Sequence, residues 1–183
     1  MSRFTHIAEK LKRLPSYQPR KISGSNLRGS AVLIPIVQSG RGQLIFTMRS
    51  SDLKNHPGQI SFPGGRIEEG ERPWQAALRE AEEEIGLNPS GVVPFGRLDD
   101  VISPRGFHIR SYVGLVEPFE PKLNRQEVES LVQVGLDELF DENLHETKQW
   151  RGYNVHYFHF KNGLVWGVTG QITFHLRQIL RQS

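Results

Sequence analysis

The segment from Gly64 to Leu87, GGRIEEGERPWQAALREAEEEIGL, constrains this chain more than any other. Two glycines open a turn-rich approach, Pro73 suits the first turn of a helix, and Gly86 suits its C-terminal cap. At about 100° per residue, Trp74, Ala77, Leu78, Ala81 and Ile85 share a stripe that must face a core. Glu80, Glu83 and Glu84, spaced i, i+3 and i+4, are expected to project together from nearly the opposite side. Such carboxylates repel each other by about 0.2–0.5 kcal/mol per exposed pair, and more where water is excluded. Two readings are open: a solvated acidic face, or a site for a hard divalent cation that prefers carboxylate and carbonyl oxygens. The adjacent glycines favour the second, because a loop without side chains lets a backbone carbonyl join the carboxylates.

A chain of 183 residues supports one well-buried core and is short for two domains. We read it as a single domain over 1–183, with an N-terminal helix and loop over 1–26 and the core and C-terminal helix over 27–181. No apolar run reaches the roughly 18 residues of a membrane span, and no secretion signal opens the chain. The absence of cysteine excludes disulfides and thiolate chemistry and suits a reducing compartment, so cytoplasm is the expected location. The formal net charge of +3 is mild and argues against nucleic acid as the partner. Since the glutamate helix is acidic, the positive excess lies elsewhere: at Lys10, Lys12, Arg13, Arg20, Lys21 and Arg28, and at Arg49, Lys54 and Arg66 around the glycine loop. Acid at a metal and base around it suit a polyphosphate substrate.

Along the chain, residues 3–14 carry Phe4, Ile7, Ala8 and Leu11 at helical spacing. Ala31–Val37 reads as a buried strand that Pro35 would move to an edge or a bulge, returning through Ser39–Gly42 as a strand over Gln43–Met48. Strands follow at Val92–Val101, Phe107–Val116 and Ser130–Val134, with a helical turn at Asp137–Phe140. Arg105, His108 and Arg110, on the hairpin through Ser103–Gly106, could reach a substrate, but surface charge is the commoner role for such residues and they are left out of the site. Tyr153–Phe160 and Leu164–Trp166 form a hairpin through Asn162-Gly163. His156 and His159, three apart on a strand, point to opposite faces and do not make a zinc pair. Thr169 is placed to cap a last helix with Ile172, His175, Leu176, Ile179 and Leu180 inward.

From Gly65 onward the glutamate segment resembles the signature of the Nudix hydrolases. Gly65, five residues, Glu71, seven residues, Arg79-Glu80, Ala81, one residue, Glu83-Glu84, one residue, Gly86 and Leu87 follow it position by position. Ala81, smaller than the usual aliphatic residue, touches packing rather than chemistry. A second run, Thr47, Arg49-Ser50, Lys54, Gly58 and Phe62-Pro63-Gly64-Gly65, resembles the motif of the coenzyme A pyrophosphatase subfamily, with Lys54 where arginine is usual. Ala31–Val37 and Val165–Thr169 resemble bacterial members of that subfamily.

The resemblance implies an α/β/α sandwich with a mixed β-sheet and a catalytic loop-helix-loop. It implies hydrolysis of a nucleoside diphosphate derivative with Mg²⁺ or Mn²⁺ held by Glu80, Glu83, Glu84 and the carbonyl of Gly64. Arg79 would orient a carboxylate, and Glu127, in Gln126-Glu127-Val128, is in the expected place for the further glutamate that members supply as base or ligand, with Glu129 the fallback. Arg49, Lys54, Gly58 and Phe62 would contact substrate. The subfamily resemblance points to coenzyme A or an acyl derivative, cut to 4′-phosphopantetheine and adenosine 3′,5′-bisphosphate. ADP-ribose, a dinucleotide or a capped RNA end is the alternative, and a non-catalytic binding module the remote one, since such modules tend to lose the box carboxylates. A homodimer is compatible with this reading.

Overall fold

The computed structural model describes residues 11–23, 27–52 and 57–181. The strand β1, Arg28–Val37, organises it by the period-two rule. Ala31, Leu33 and Val37 enter one apolar cluster, and Ile34 and Ile36 enter another, on the opposite side. A strand buried on both faces needs a cover on each, and two helices supply them. Helix α1, Pro73–Ile85, sets Ala76, Ala77, Ala81 and Ile85 against the first cluster. Helix α2, Gly167–Arg181, sets Ile172, Leu176, Ile179 and Leu180 against the second. This is the α/β/α sandwich.

The remaining strands are β2 Gln43–Arg49, β3 Ile60–Ser61, β4 Gly64–Arg66, β5 Val92–Arg97, β6 Val101–Ile102, β7 Phe107–Val116, β8 Val128–Gly135, β9 His145–Trp150, β10 Tyr153–Phe160 and β11 Gly163–Val165. The main sheet runs β3-β2-β1-β7-β5, with β4 also on β1, β6 on β7 and β8 on β2; β9, β10 and β11 form a second sheet. β1 and β7 are parallel from Arg28↔Phe107 to Val37↔Val116, and the other pairs are antiparallel.

Pro35 lies in a central strand, not at an edge. Its nitrogen faces the same side as that of Leu33, whose N–H donates to Pro63 O at 2.9 Å. On that side β4 pairs residues 30–32 and β2 pairs 36–37, so the missing donor falls in the gap between partners. The strand from Val92 breaks at Leu98–Asp100, where Asp99 accepts from Tyr17 Oη (2.7 Å) and the Arg20 N–H (2.8 Å), and Asp100 pairs with His108 (2.7 Å). His108 is therefore buried rather than surface charge. α2 begins at Gly167, so Thr169 sits inside the helix and is buried instead of capping it. Most of the expected N-terminal helix lies outside the described residues; Leu11 and Leu14, at its end, are buried in the core. His156 is buried and His159 exposed, on opposite faces as expected.

Candidate active site

β4 and α1 face each other across the approach loop, and the glycines set how closely. A Cβ on Gly64 would stand 2.7 Å from Val32 Cα, inside the contact limit, so only glycine lets β4 lie so near β1. A Cβ on Gly65 would collide with the carboxylate of Glu80, which rests directly on that glycine. The helix enters through Pro73, with Arg72 N–H donating to Gln75 Oε1 at 3.2 Å. It ends at Gly86, whose φ of 69° is left-handed. A Cβ there would meet Lys122 Cβ at 2.8 Å, so Gly86 also admits the following loop.

That loop is tied to the helix end: Lys122 N–H donates to Ile85 O and Asn124 N–H to Glu84 O, both at 3.0 Å. Glu127, three residues on, is fixed through its backbone by Asn124 O (3.0 Å) and by the Ser50 N–H (2.8 Å). Its charge acts on both Glu80 and Glu84. The loop thus brings Glu127 to the helix carboxylates.

Those carboxylates are not equivalent. Arg79 is a fork among them: Nε donates to Glu71 Oε1 (3.0 Å), Nη1 to Glu80 Oε1 (2.9 Å) and Glu83 Oε2 (3.2 Å), and Nη2 to Glu71 Oε2 (3.2 Å) and Arg66 O (3.0 Å). The bond from Arg79 holds Glu71 below the usual carboxylate range. Burial raises Glu80 despite its own bond to Arg79. Glu84 does not project away from the core as expected. Seven residues after Ala77, close to two turns, it returns to the edge of the buried face and is 5% exposed. Burial, with the charges of Glu80 and Glu127, pushes its carboxyl up to about 8, and the N–H of Gly64 at 3.3 Å only partly offsets this.

A cavity of about 620 Å³ is lined by Gly65 together with Arg49, Arg66, Arg105, Phe107 and Trp166, among others. Arg49 Nε is buried in its wall and has no hydrogen-bond partner among the described residues. Phe107 carries Arg28 over its ring at 4.1 Å and Arg66 at 5.9 Å. Arg28 also donates to Arg105 O at 2.8 Å, fixing the turn that delivers Arg105. Arg105, within reach of substrate from its hairpin but read from the sequence as surface charge, lines this cavity, and so does Phe107, for which the sequence carries no functional signal.

Two expected substrate contacts are placed elsewhere. Phe62 is 2% exposed and stacked on Phe46 with ring centres 4.4 Å apart, so it offers no surface to a ligand and belongs to the core. Gly58 is an exposed turn residue at φ 68°, whose N–H donates to Arg49 O at 3.1 Å; it shapes the segment carrying Arg49. Lys54 lies outside the described residues.

The donors suit a hard divalent cation in chemistry: an enclosed carboxyl that resists ionising alone, two further carboxylates acting on it, and backbone beside a side-chain-free turn. Among the described residues no three such groups close around a point as they stand, and Arg79 bonds both Glu80 and Glu83. Binding an ion would exchange those bonds.

The family model of the NUDIX domain matches residues 27–158. The chain is 37% identical over 158 residues to an uncharacterized Nudix hydrolase, NudL, of Pectobacterium atrosepticum, covering 81% of each chain. A NudL of Yersinia pestis is 34% identical over 157 residues, covering 82% of this chain and 79% of that one. The fold is similar to a C. elegans Ap4A hydrolase (TM-score 0.52, 18% identity, 59% of this chain and 80% of that one). It is also similar to the NUDIX domain of Shewanella oneidensis NrtR in complex with ADP ribose (TM-score 0.51, 18% identity, 70% and 84%). No helix among the described residues is long and apolar enough to cross a membrane. With the domain matched over more than half its length and relatives above 30% identity along four-fifths of it, this chain belongs to the Nudix hydrolase family.

Proposed function

We propose that this Nudix hydrolase cleaves the pyrophosphate of coenzyme A or an acyl derivative, giving 4′-phosphopantetheine and adenosine 3′,5′-bisphosphate. One observation carries the reading: an enclosed carboxyl, Glu84, hemmed by Glu80 and Glu127 next to a cavity with three arginines in its wall. The resemblance of residues 47–65 to the subfamily motif supports the choice of substrate. A pyrophosphate and a separate 3′-phosphate need several cations at different points, and Arg49, Arg66 and Arg105 come from three different segments.

Glu80, Glu83 and Glu84 would hold Mg²⁺ or Mn²⁺, with the Gly64 carbonyl and Glu127 available beside them. A divalent cation bound there would supply a lowered pKa for the attacking water and offset charge on the phosphate oxygens. The water oxygen bonds to one phosphorus, the bridging P–O bond breaks, and the water's proton passes to Glu80 or Glu127. Arg79 positions Glu80 and Glu83 for their task, and Glu71 steadies Arg79. Arg49, with Nε enclosed and unpartnered among the described residues, receives a phosphate oxygen.

The test is a substrate panel of coenzyme A, its 3′-dephospho form, ADP-ribose, a dinucleoside polyphosphate and a capped RNA, with products identified by mass. Preference for the 3′-phosphorylated substrate supports the reading, and efficient turnover of ADP-ribose alone overturns it. Glu83→Gln is expected to lower kcat by at least 10³-fold with metal in excess. Retention of most of the activity would remove Glu83 from the site.

A further inference from the structure

The second sheet has two edges, and one of them is closed. β11 lies against the main sheet, where a Cβ added to Gly163 would collide with Ile60 of β3. β9 forms the other edge, and among the described residues only β10 pairs with it. The register fixes which backbone groups are left over. Trp150↔Tyr153 closes a two-residue turn through Arg151 (φ 48°) and Gly152 (φ 81°), and the pair that closes such a turn exchanges both hydrogen bonds. Counting back by twos, Trp150, Lys148 and Glu146 bond inward to β10. The N–H and C=O of Gln149, Thr147 and His145 therefore point out of the sheet. Such an edge invites another strand unless a proline, a bulge or an unmatched charge blunts it. β9 has no proline and pairs with β10 without a break in register.

The charges of β9 suit a copy of itself. Glu146 and Lys148 share the outer face, 3.2 Å apart, and Lys148 lies over the Tyr157 ring at 5.2 Å. We propose that two copies of this chain associate about a two-fold axis through β9, antiparallel and centred on Thr147, joining their three-stranded sheets into one. In that register Glu146 lies opposite the partner's Lys148, and Lys148 opposite the partner's Glu146. The outward groups satisfy one another, Thr147 with the partner's Thr147 and His145 with the partner's Gln149. The Glu–Lys pairs are then the non-hydrogen-bonded ones, whose side chains lie closest. Sliding one strand by two residues either way sets Glu146 against Glu146 or Lys148 against Lys148, so charge selects the centred register. It also carries Trp150, 54% exposed at the strand's end, alongside the partner's Leu144, which gives the ring a cover. The interface is independent of which substrate is cut.

The test measures mass by sedimentation velocity at protein concentrations up to about 1 mM, because so short an interface falls at the weak end of specific association. Wild type is expected to reach the dimer within that range. Glu146→Lys and Lys148→Glu each set like charges face to face in the self-pair, and each is expected to weaken the dimer by roughly tenfold or more. Mixed in equal amounts, the two variants match again, and a dimer of one with the other is expected to return. Thr147→Pro removes an outward donor, leaves the bonds to β10 in place, and is expected to abolish the dimer. Far-UV circular dichroism and a single cooperative melt show that each variant is folded. A wild type that stays monomeric, charge variants as dimeric as wild type, or a mixture that stays monomeric overturns the proposal. A dimer that survives Thr147→Pro uses another face, and the proposal fails.

Discussion

Glu84 shows how one residue can be read correctly for type and wrongly for place. Its carboxyl is held protonated to about pH 8 in the folded chain, against an ordinary value of 4.5. The folded state therefore keeps a proton that the unfolded state releases, and stability falls as pH rises from about 4.5 to about 8. Glu84→Gln removes the ionisation but keeps an oxygen for the Gly64 N–H. With a chelator present, the variant is expected to match wild type near pH 4.5 and to exceed it by on the order of 5 kcal/mol at pH 9. If Glu84 helps to hold the cation, Mn²⁺ is expected to raise the melting temperature of the wild type and not of the variant. Melting curves whose separation does not change with pH would show that the carboxyl is not enclosed. The helical spacing was legible in the sequence, but the depth of the core that receives Glu84 was not.

At the scale of elements, the two glycines of β4 do different jobs, and substitution separates them. At Gly64 a new Cβ meets backbone, the carbonyl of Ala31 and the Cα of Val32, which yields only if β4 leaves β1. Gly64→Ala is expected to destabilise by about 2 kcal/mol or more, seen in denaturant melts. At Gly65 the obstacle is the end of a flexible side chain, the Glu80 carboxylate, which can swing away. Gly65→Ala is therefore expected to melt within about 1 kcal/mol of wild type yet lose at least 10²-fold in kcat. If Gly65→Ala were the less stable of the two, the account of this turn would be wrong. The turn, the helix and its caps were all readable from residues 64–87. The loop at Lys122–Glu127 was readable only as a glutamate at the right distance along the chain, because its tie to Glu84 and Ile85 is made by backbone groups that carry no sequence signal.

At the scale of the whole molecule, the second sheet packs on α2 through a buried imidazole. His156 lies flat on Phe174 with ring centres 3.7 Å apart, and its Nδ1 is 3.1 Å from both Thr147 Oγ1 and His145 Nε2. Burial, then the charges of His145 and Arg177, lower its pKa to about 4 from 6.5. Between these values the unfolded chain binds the proton and the folded one does not, so stability is lost as pH falls from 6.5 toward 4. His156→Phe keeps the ring stack and is expected to shrink that loss by about 2 kcal/mol, measured as melting temperature against pH. An unchanged acid slope would place the titrating group elsewhere. By itself the sequence determined the glutamate helix, the glycine turns, most strands and the family, because period, caps and fixed-spacing motifs are local and survive without neighbours. Tertiary structure alone decided that Phe62 fills the core, that Pro35 sits harmlessly in a central strand, that Glu84 is enclosed, and that Arg49, Arg66 and Arg105 share one cavity. Those outcomes depend on which distant segments meet, and burial and electrostatic coupling are properties of that meeting rather than of any stretch of chain.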